Sequence, residues 1–322
     1  MSSKDMIDPE LLPALDMFSS EPMTQENLPE LRESMKEMMV AASPEEDDDV
    51  DREEVFIDSL FGDHPIRVLM YRSREMVSGA PALLDIHGGG YVLGIPEMDD
   101  QQNRRLAILM TGLVVSVDYR LAPENPHPGP IEDCYSAQKW LFDKAPALGI
   151  STDRIGIIGA SGGGGLAASL ALMARDKGEV KLACQLLLIP MIDDRTVIRG
   201  LEDPHPHAGH YIWTHANNAF GWRCLLDAEP GSQGISAYAA AARADDLSGL
   251  PATFISAGAL DLLAEEDIEY GRRLMRAGVH TELHVYPGAH HGFAMVPEAR
   301  VARMHQRDLE NALCRMLDID IA

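Results

Sequence analysis

Arg154-Ile155-Gly156-Ile157-Ile158-Gly159-Ala160-Ser161-Gly162-Gly163 is an apolar run that ends in a serine set among glycines. An alanine- and leucine-rich stretch able to form a helix follows it directly. A strand that turns sharply into a helix needs small residues at the turn, because the chain folds back on itself there. A serine at that corner projects its oxygen into the open, with the positive end of the helix beneath it. Serine is a weak nucleophile until a base and a charge-stabilising site surround it. The stretch therefore sets two questions: whether strands and helices alternate on either side of it, and whether the chain supplies the partners.

They do alternate. Val55-Phe56-Ile57 and Ile66 to Tyr71 read as strands, and Ala82 to Ile86 and Leu113 to Val117 are short apolar runs of the kind found in buried central strands. Helical spacing runs from Ile131 to Phe142. Cys184 to Ile189 is a strand stopped by Pro190. Thr253 to Ala257 and Thr281 to Tyr286 read as strands, Glu265 to Ala277 and Ala299 to Leu317 as helices. This order predicts an α/β fold, with a mostly parallel sheet covered by helices on both faces. Residues 194–235 interrupt it with four histidines (His205, His207, His210, His215) and with Tyr211, Trp213, Phe220 and Trp222. Residues 1–50 stand apart too. Leu31, Met35, Met38 and Met39 have helical spacing, and an acidic run begins at Pro44. The expected organisation is an N-terminal segment (1–50), a first core part (51–193), an insert (194–235) and a second core part (236–322).

The 322 residues are 46% hydrophobic, enough for a sizeable core, and carry a net charge of −24. That charge argues against nucleic acid and anionic membrane surfaces as partners. Four widely spaced cysteines (Cys134, Cys184, Cys224, Cys314) without a CxxC pair read as free, mostly buried thiols. The first residues lack an apolar signal core, and no apolar run is long enough to cross a bilayer, so a soluble cytoplasmic protein is expected. Neither the acidic run nor Pro204-His205-Pro206-His207 has metal-ligand spacing, so no metal is expected.

The partners for Ser161 lie at strand ends, where ligand chemistry sits in open α/β sheets. His87-Gly88-Gly89-Gly90 follows the strand ending at Ile86, and such glycines let backbone N–H groups converge on one point. Gly162, next after the serine, adds another N–H. Asp261 follows one later strand, and the pair His290-His291 follows the next. Ser, Asp, His is the chain order of a relay in which an acid orients the imidazole and the imidazole takes the serine proton. Either histidine could be that base. Glu266 and Asp267 compete with Asp261 but lie where the next helix should already have begun.

These motifs together resemble the hormone-sensitive-lipase family of α/β-hydrolases, the bacterial family IV esterases. The resemblance rests on His87-Gly88-Gly89-Gly90-Tyr91-Val92-Leu93-Gly94, Asp118-Tyr119-Arg120-Leu121-Ala122-Pro123-Glu124, the serine elbow, Leu260-Asp261, Tyr286-Pro287-Gly288 and His291-Gly292-Phe293. It spans residues 54 to the C-terminus. It implies Ser161, Asp261 and His291 as the triad, with Gly89 and Gly90 joining Gly162 in an oxyanion hole. It implies no cofactor, and loop-anchoring roles for Arg120, Glu124 and Asp133. A helical cap built from the N-terminal segment and the insert is implied as well, with Tyr91, Phe18, Tyr211, Trp213 and Phe220 as candidate substrate contacts. Small esters of short to medium chain are the implied substrates, and a homodimer through the strand at 281–286 is plausible on the same ground. Triad chemistry does not by itself choose the leaving group, so amides and lactones stay open. A non-catalytic small-molecule receptor is disfavoured by the intact triad. The elbow departs from the family at Ala160 and Gly162, where an acidic residue or threonine and an alanine are usual. From that departure, Gly162→Ala is expected to leave turnover intact or raise it.

Overall fold

Continuous apolar runs become the inner strands of one sheet, because a strand buried on both faces has no place for polar side chains. The computed structural model describes residues 2–17, 21–43 and 48–320. Its strands are β1 (Val50–Asp58), β2 (Pro65–Ser73), β3 (Ala80–Ile86), β4 (Leu113–Asp118), β5 (Ile150–Ala160), β6 (Cys184–Leu188), β7 (Ala252–Gly258) and β8 (Thr281–Tyr286). They form one eight-stranded sheet in the order β1-β2-β4-β3-β5-β6-β7-β8. The pairings of β2 with β1 and with β4 are antiparallel, and the other pairings are parallel.

The helices are α1 (Ser3–Met6), α2 (Leu28–Ala42), α3 (Asp100–Met110), α4 (Gly129–Leu148), α5 (Gly162–Lys177), α6 (Thr196–Glu202), α7 (His215–Leu226), α8 (Ala264–Arg276) and α9 (Arg300–Met316). Alternate strand residues face opposite ways, and the core divides accordingly. Leu84, Val115, Ile157, Leu187 and Ile255 pack with α4, α5 and α8. Leu83, Val114, Ile158, Leu186 and Phe254 pack with α3 and α9 on the other face. The two-faced α/β arrangement is the one the strand and helix order predicted.

One helix lies outside the expected pattern. No apolar periodicity marks an element between Gly94 and Gly112, yet α3 occupies most of that stretch. Asn103, Leu106, Ala107 and Met110 form its buried stripe, with a polar residue in a place where periodicity seeks an apolar one. All four cysteines are free and buried. Among the described residues no helix is long and apolar enough to cross a membrane.

The N-terminal segment and the insert lie against each other and over the core. Met23 N donates to Asn217 Oδ1 at 2.9 Å, and Ser3 Oγ lies 3.1 Å from Tyr211 Oη and 2.8 Å from His210 Nδ1. Asp8 N donates to the carbonyl of Gly288 at 3.0 Å, in the loop leading to His291.

Candidate active site

Ser161 sits between the end of β5 and the start of α5 with φ 53° and ψ −120°, a conformation rare for a side-chain-bearing residue. Such strain persists only where the surroundings over-determine it. Here the Ser161 N–H donates to Leu188 O at 2.8 Å, and its carbonyl accepts from Met191 N at 2.9 Å and Gly165 N at 3.0 Å. A Cβ on Gly163 would run into the carbonyl oxygens of Ile86 and His87. The elbow can therefore press against the end of β3 only because glycine stands there.

His291 Nε2 lies 2.9 Å from Ser161 Oγ, and its Nδ1 lies 2.7 Å from Asp261 Oδ2. The other Asp261 oxygen accepts from Leu263 N at 3.0 Å. A carboxylate that accepts at Nδ1 leaves Nε2 with its lone pair toward the hydroxyl, so the arrangement can draw a proton from Ser161. All three residues are buried.

The other histidine and the other acids are placed elsewhere. His290 Nδ1 lies 2.7 Å from the carbonyl of His291, and burial lowers its pKa from the ordinary imidazole value. Glu266, inside α8, accepts from Ile192 N at 2.7 Å, from Asp193 N at 3.2 Å and from Thr196 Oγ1. It thus ties the loop after β6 to the helix after Asp261. Burial, with the nearby Asp193 carboxylate adding to it, pushes Glu266 up to about 8. Burial holds Asp267 well above the carboxylate range, helped by Glu266 and Asp261.

Three consecutive residues after the first glycine of the His87–Gly90 loop have positive φ: Gly89 at 114°, Gly90 at 59° and Tyr91 at 70°. This turn brings the loop against the elbow. A Cβ built on Gly162 would lie 2.9 Å from Tyr91 N and 3.0 Å from Gly90 N. Among the described residues the N–H groups of Gly89, Gly90 and Gly162 make no hydrogen bond within the protein, so they remain available to an oxygen. The same closeness corrects the expectation for Gly162→Ala. The methyl group would meet backbone rather than open space, and the Gly89–Tyr91 turn would have to move. Behind the loop, His87 stacks on Tyr119 at 4.3 Å, and Tyr119 Oη donates to His87 O at 3.0 Å. Burial pushes His87 down to about 4.

The aromatic candidates separate. Trp213 reaches the site: a Cβ on Gly90 would overlap its ring, which also lies 5.9 Å from the His291 ring. Its Nε1–H donates to Asn218 Oδ1 at 3.2 Å. Tyr91 does not line a pocket. It is 0% exposed, its hydroxyl donates to Met191 O, and its ring packs on Trp222 at 5.2 Å. Its backbone turn directs the side chain inward, toward α5 and α7, so its role is packing. Tyr211 packs with the cluster of Ile7, Leu11, Leu260 and Phe293, and Phe220 is partly buried against the large core cluster. Phe18 lies outside the described residues. Asp133 accepts from Arg120 N and Nε at 2.9 and 2.8 Å and lies 2.9 Å from His64 Nε2. These are anchoring contacts for the loop after β4. In the insert, His205 Nδ1 accepts from the N–H groups of His207 and Ala208.

A serine on a strand-to-helix elbow, bonded to a histidine that is bonded to an aspartate, on a mostly parallel sheet and in the order Ser, Asp, His, defines an α/β-hydrolase. Comparison with known proteins agrees. The alpha/beta hydrolase fold family matches residues 83–295, and the chain belongs to it, in its hormone-sensitive-lipase branch. It is 32% identical to the esterase LipI of Mycobacterium tuberculosis over 93% of this chain and 92% of that one. It is 35% identical to the carboxylesterase NlhH of the same species, over 74% and 75%. Among solved structures, a bacterial heroin esterase superposes with a TM-score of 0.89 at 37% identity, covering 97% of this chain and 98% of that one.

Proposed function

We propose that the protein is a serine carboxylesterase acting through an acyl-enzyme on short- to medium-chain esters. The observation that carries this is the continuous relay Asp261–His291–Ser161, and the Gly89, Gly90 and Gly162 N–H groups, which make no hydrogen bond among the described residues, support an oxyanion hole beside it. Ser161 Oγ attacks the ester carbonyl while His291 Nε2 takes its proton. The tetrahedral oxyanion is held by the three N–H groups, where each preorganised donor typically contributes about 2.7–4 kcal/mol. His291 then returns the proton to the departing alkoxide, and water repeats the sequence on the acyl-enzyme. No step draws on a metal or organic cofactor.

Residues 1–50 and 194–235 form the cap in this reading. The hydrogen bonds from Met23 to Asn217 and from Ser3 to the His210–Tyr211 pair support joining the two segments. Trp213 over Gly90 is the cap residue best placed to bound the acyl or alcohol group. The edge strand β8, which carries exposed Val285, is the surface offered to a second copy, and exposed Ile268 and Met275 lie on α8 of the same face-covering layer. A single-chain mass by light scattering contradicts that pairing.

The test is a panel of p-nitrophenyl esters from acetate to dodecanoate, with matched anilides and lactones. Turnover is expected to peak between the short and medium acyl chains and to exceed that of anilides and lactones. Preference for an anilide overturns the substrate class while leaving the mechanism in place.

A further inference from the structure

We infer that Arg32, on the N-terminal helix α2, is a positioning residue that sets the oxyanion loop from behind. This rests on the esterase reading and extends it to a residue 129 positions before the nucleophile. Arg32 Nε donates to Val92 O at 2.7 Å, and Nη2 donates to Ala122 O at 2.7 Å. The same guanidinium grips Glu124 through Nη1 and Nη2, at 2.8 and 2.9 Å. Both carbonyls belong to the framework of the oxyanion turn. Val92 N donates to Gly89 O at 3.1 Å, and Ala122 N donates to Tyr91 O at 3.0 Å. One planar, permanently charged fork thus closes a ring that runs from Gly89 through Val92 and Arg32 to Ala122 and back to Tyr91.

That ring encloses the three consecutive positive-φ residues, Gly89, Gly90 and Tyr91. Tyr91 carries a side chain and gains nothing locally from such a conformation, so the strain is held from outside. Three other contacts help hold it: Trp213 on Gly90, Gly221 of α7 against Gly90 O, and the Tyr91 hydroxyl on Met191 O. They act from the insert and the core, whereas Arg32 acts from the N-terminal segment. The Glu124 end of the bridge is more than half exposed, at 59%. A surface ion pair of that kind contributes little by itself. The two bonds to carbonyls are the ones that fix backbone, and charge-assisted bonds of this geometry are short and directional. Lysine offers a point charge and cannot reproduce the fork.

A residue that only aims the oxyanion donors affects the transition state and not ground-state binding. For Arg32→Met the expected result is a 10- to 50-fold fall in kcat on p-nitrophenyl butyrate, with KM within twofold. Arg32→Lys falls between Met and wild type. The Ki of a trifluoromethyl ketone, whose hemiketal oxyanion occupies the hole, rises by the factor that kcat/KM falls. The acidic limb of the pH profile, which reports the base, stays in place. Glu124→Gln, which leaves both carbonyl contacts, changes kcat less than twofold. Arg32→Met with wild-type kcat and Ki overturns the inference. So does a fall in kcat that Ki does not follow, since general loosening of the fold gives that pattern. Wild-type protein that neither turns over the ester nor binds the ketone overturns the esterase reading itself.

Discussion

The loops that carry Ser161, Asp261 and His291 and the segments that cover them are held by different means. Ser161 directly follows β5, while Asp261 and His291 lie in the short loops after β7 and β8, held by close backbone contacts such as Gly163 against the Ile86 and His87 carbonyls and Leu260 N on Ala289 O. The covering segments pack through separate apolar anchors such as Met23, Leu28, Trp213 and Trp222 and add a few long-range bonds: Met23 to Asn217, Ser3 to Tyr211 and His210, Arg32 to Val92 and Ala122. In the proposed mechanism the sheet region supplies the chemistry, and the cover sets access and trims the geometry. Substitutions in the first region should act on the rate of the chemical step, and those in the second more gently, through aim and substrate choice.

The largest effect expected short of removing the nucleophile is from Asp261→Asn. An amide in place of the carboxylate favours the wrong tautomer of His291, and a fall in kcat of about 10⁴-fold follows, as in other serine triads. Steady-state kinetics measure it. A loss below tenfold would mean that the 2.7 Å contact to His291 does not orient the base.

Gly162→Ala comes next and lies at the boundary of the two regions. Its methyl group would sit 2.9 Å from Tyr91 N, so the oxyanion turn must give way by some tenths of an ångström. We expect kcat/KM to fall about tenfold, since small misplacements of a reacting geometry are costly. Unchanged or raised turnover would show that the loop yields freely and that the cover does not trim it.

These two positions also show how far the sequence could be read. The strands were legible because buried parallel strands are written as unbroken apolar runs, and the triad because its members follow strand ends in a fixed order. Helix α3 escaped because Asn103 sits in its buried stripe. Tyr91 stands among the candidate substrate contacts, but the sign of φ that turns it inward is not written in residue type. The clash at Gly162 is a distance between two loops more than 70 residues apart, and no local pattern encodes it. Arg32 was hidden for the same reason. On α2 it stands between Leu31 and Met35 as an ordinary polar residue of an amphipathic helix, and only folding brings it to Val92 and Ala122.

The smallest effect concerns the stability of the sheet region. His305 on α9 is buried between Tyr286 and Phe293, with Nε2 3.1 Å from Ser256 Oγ. Burial pushes it down to about 4, against about 6.5 in an unfolded chain. The unfolded state therefore binds the proton first as pH falls. The stability that depends on neutral His305 is complete above about pH 6.5 and is lost toward pH 4, by about 3 kcal/mol in all. Glu266, raised to about 8, has the opposite slope between about pH 4.5 and 8, so the comparison is made between proteins rather than along one curve. Urea unfolding of wild type and His305→Leu from pH 4.5 to 8 should give a shallower acid fall in the variant. Parallel curves would remove His305 from the account.

The central claim is that Ser161 is the nucleophile of an ester hydrolase, and covalent labelling tests it most directly. Incubation with a p-nitrophenyl alkylphosphonate, followed by intact mass and peptide mapping, should give one adduct per chain on Ser161. Esterase turnover should fall in proportion to labelling, and Ser161→Ala should be neither labelled nor active. An adduct on another residue, or ester turnover that survives in Ser161→Ala, would contradict it.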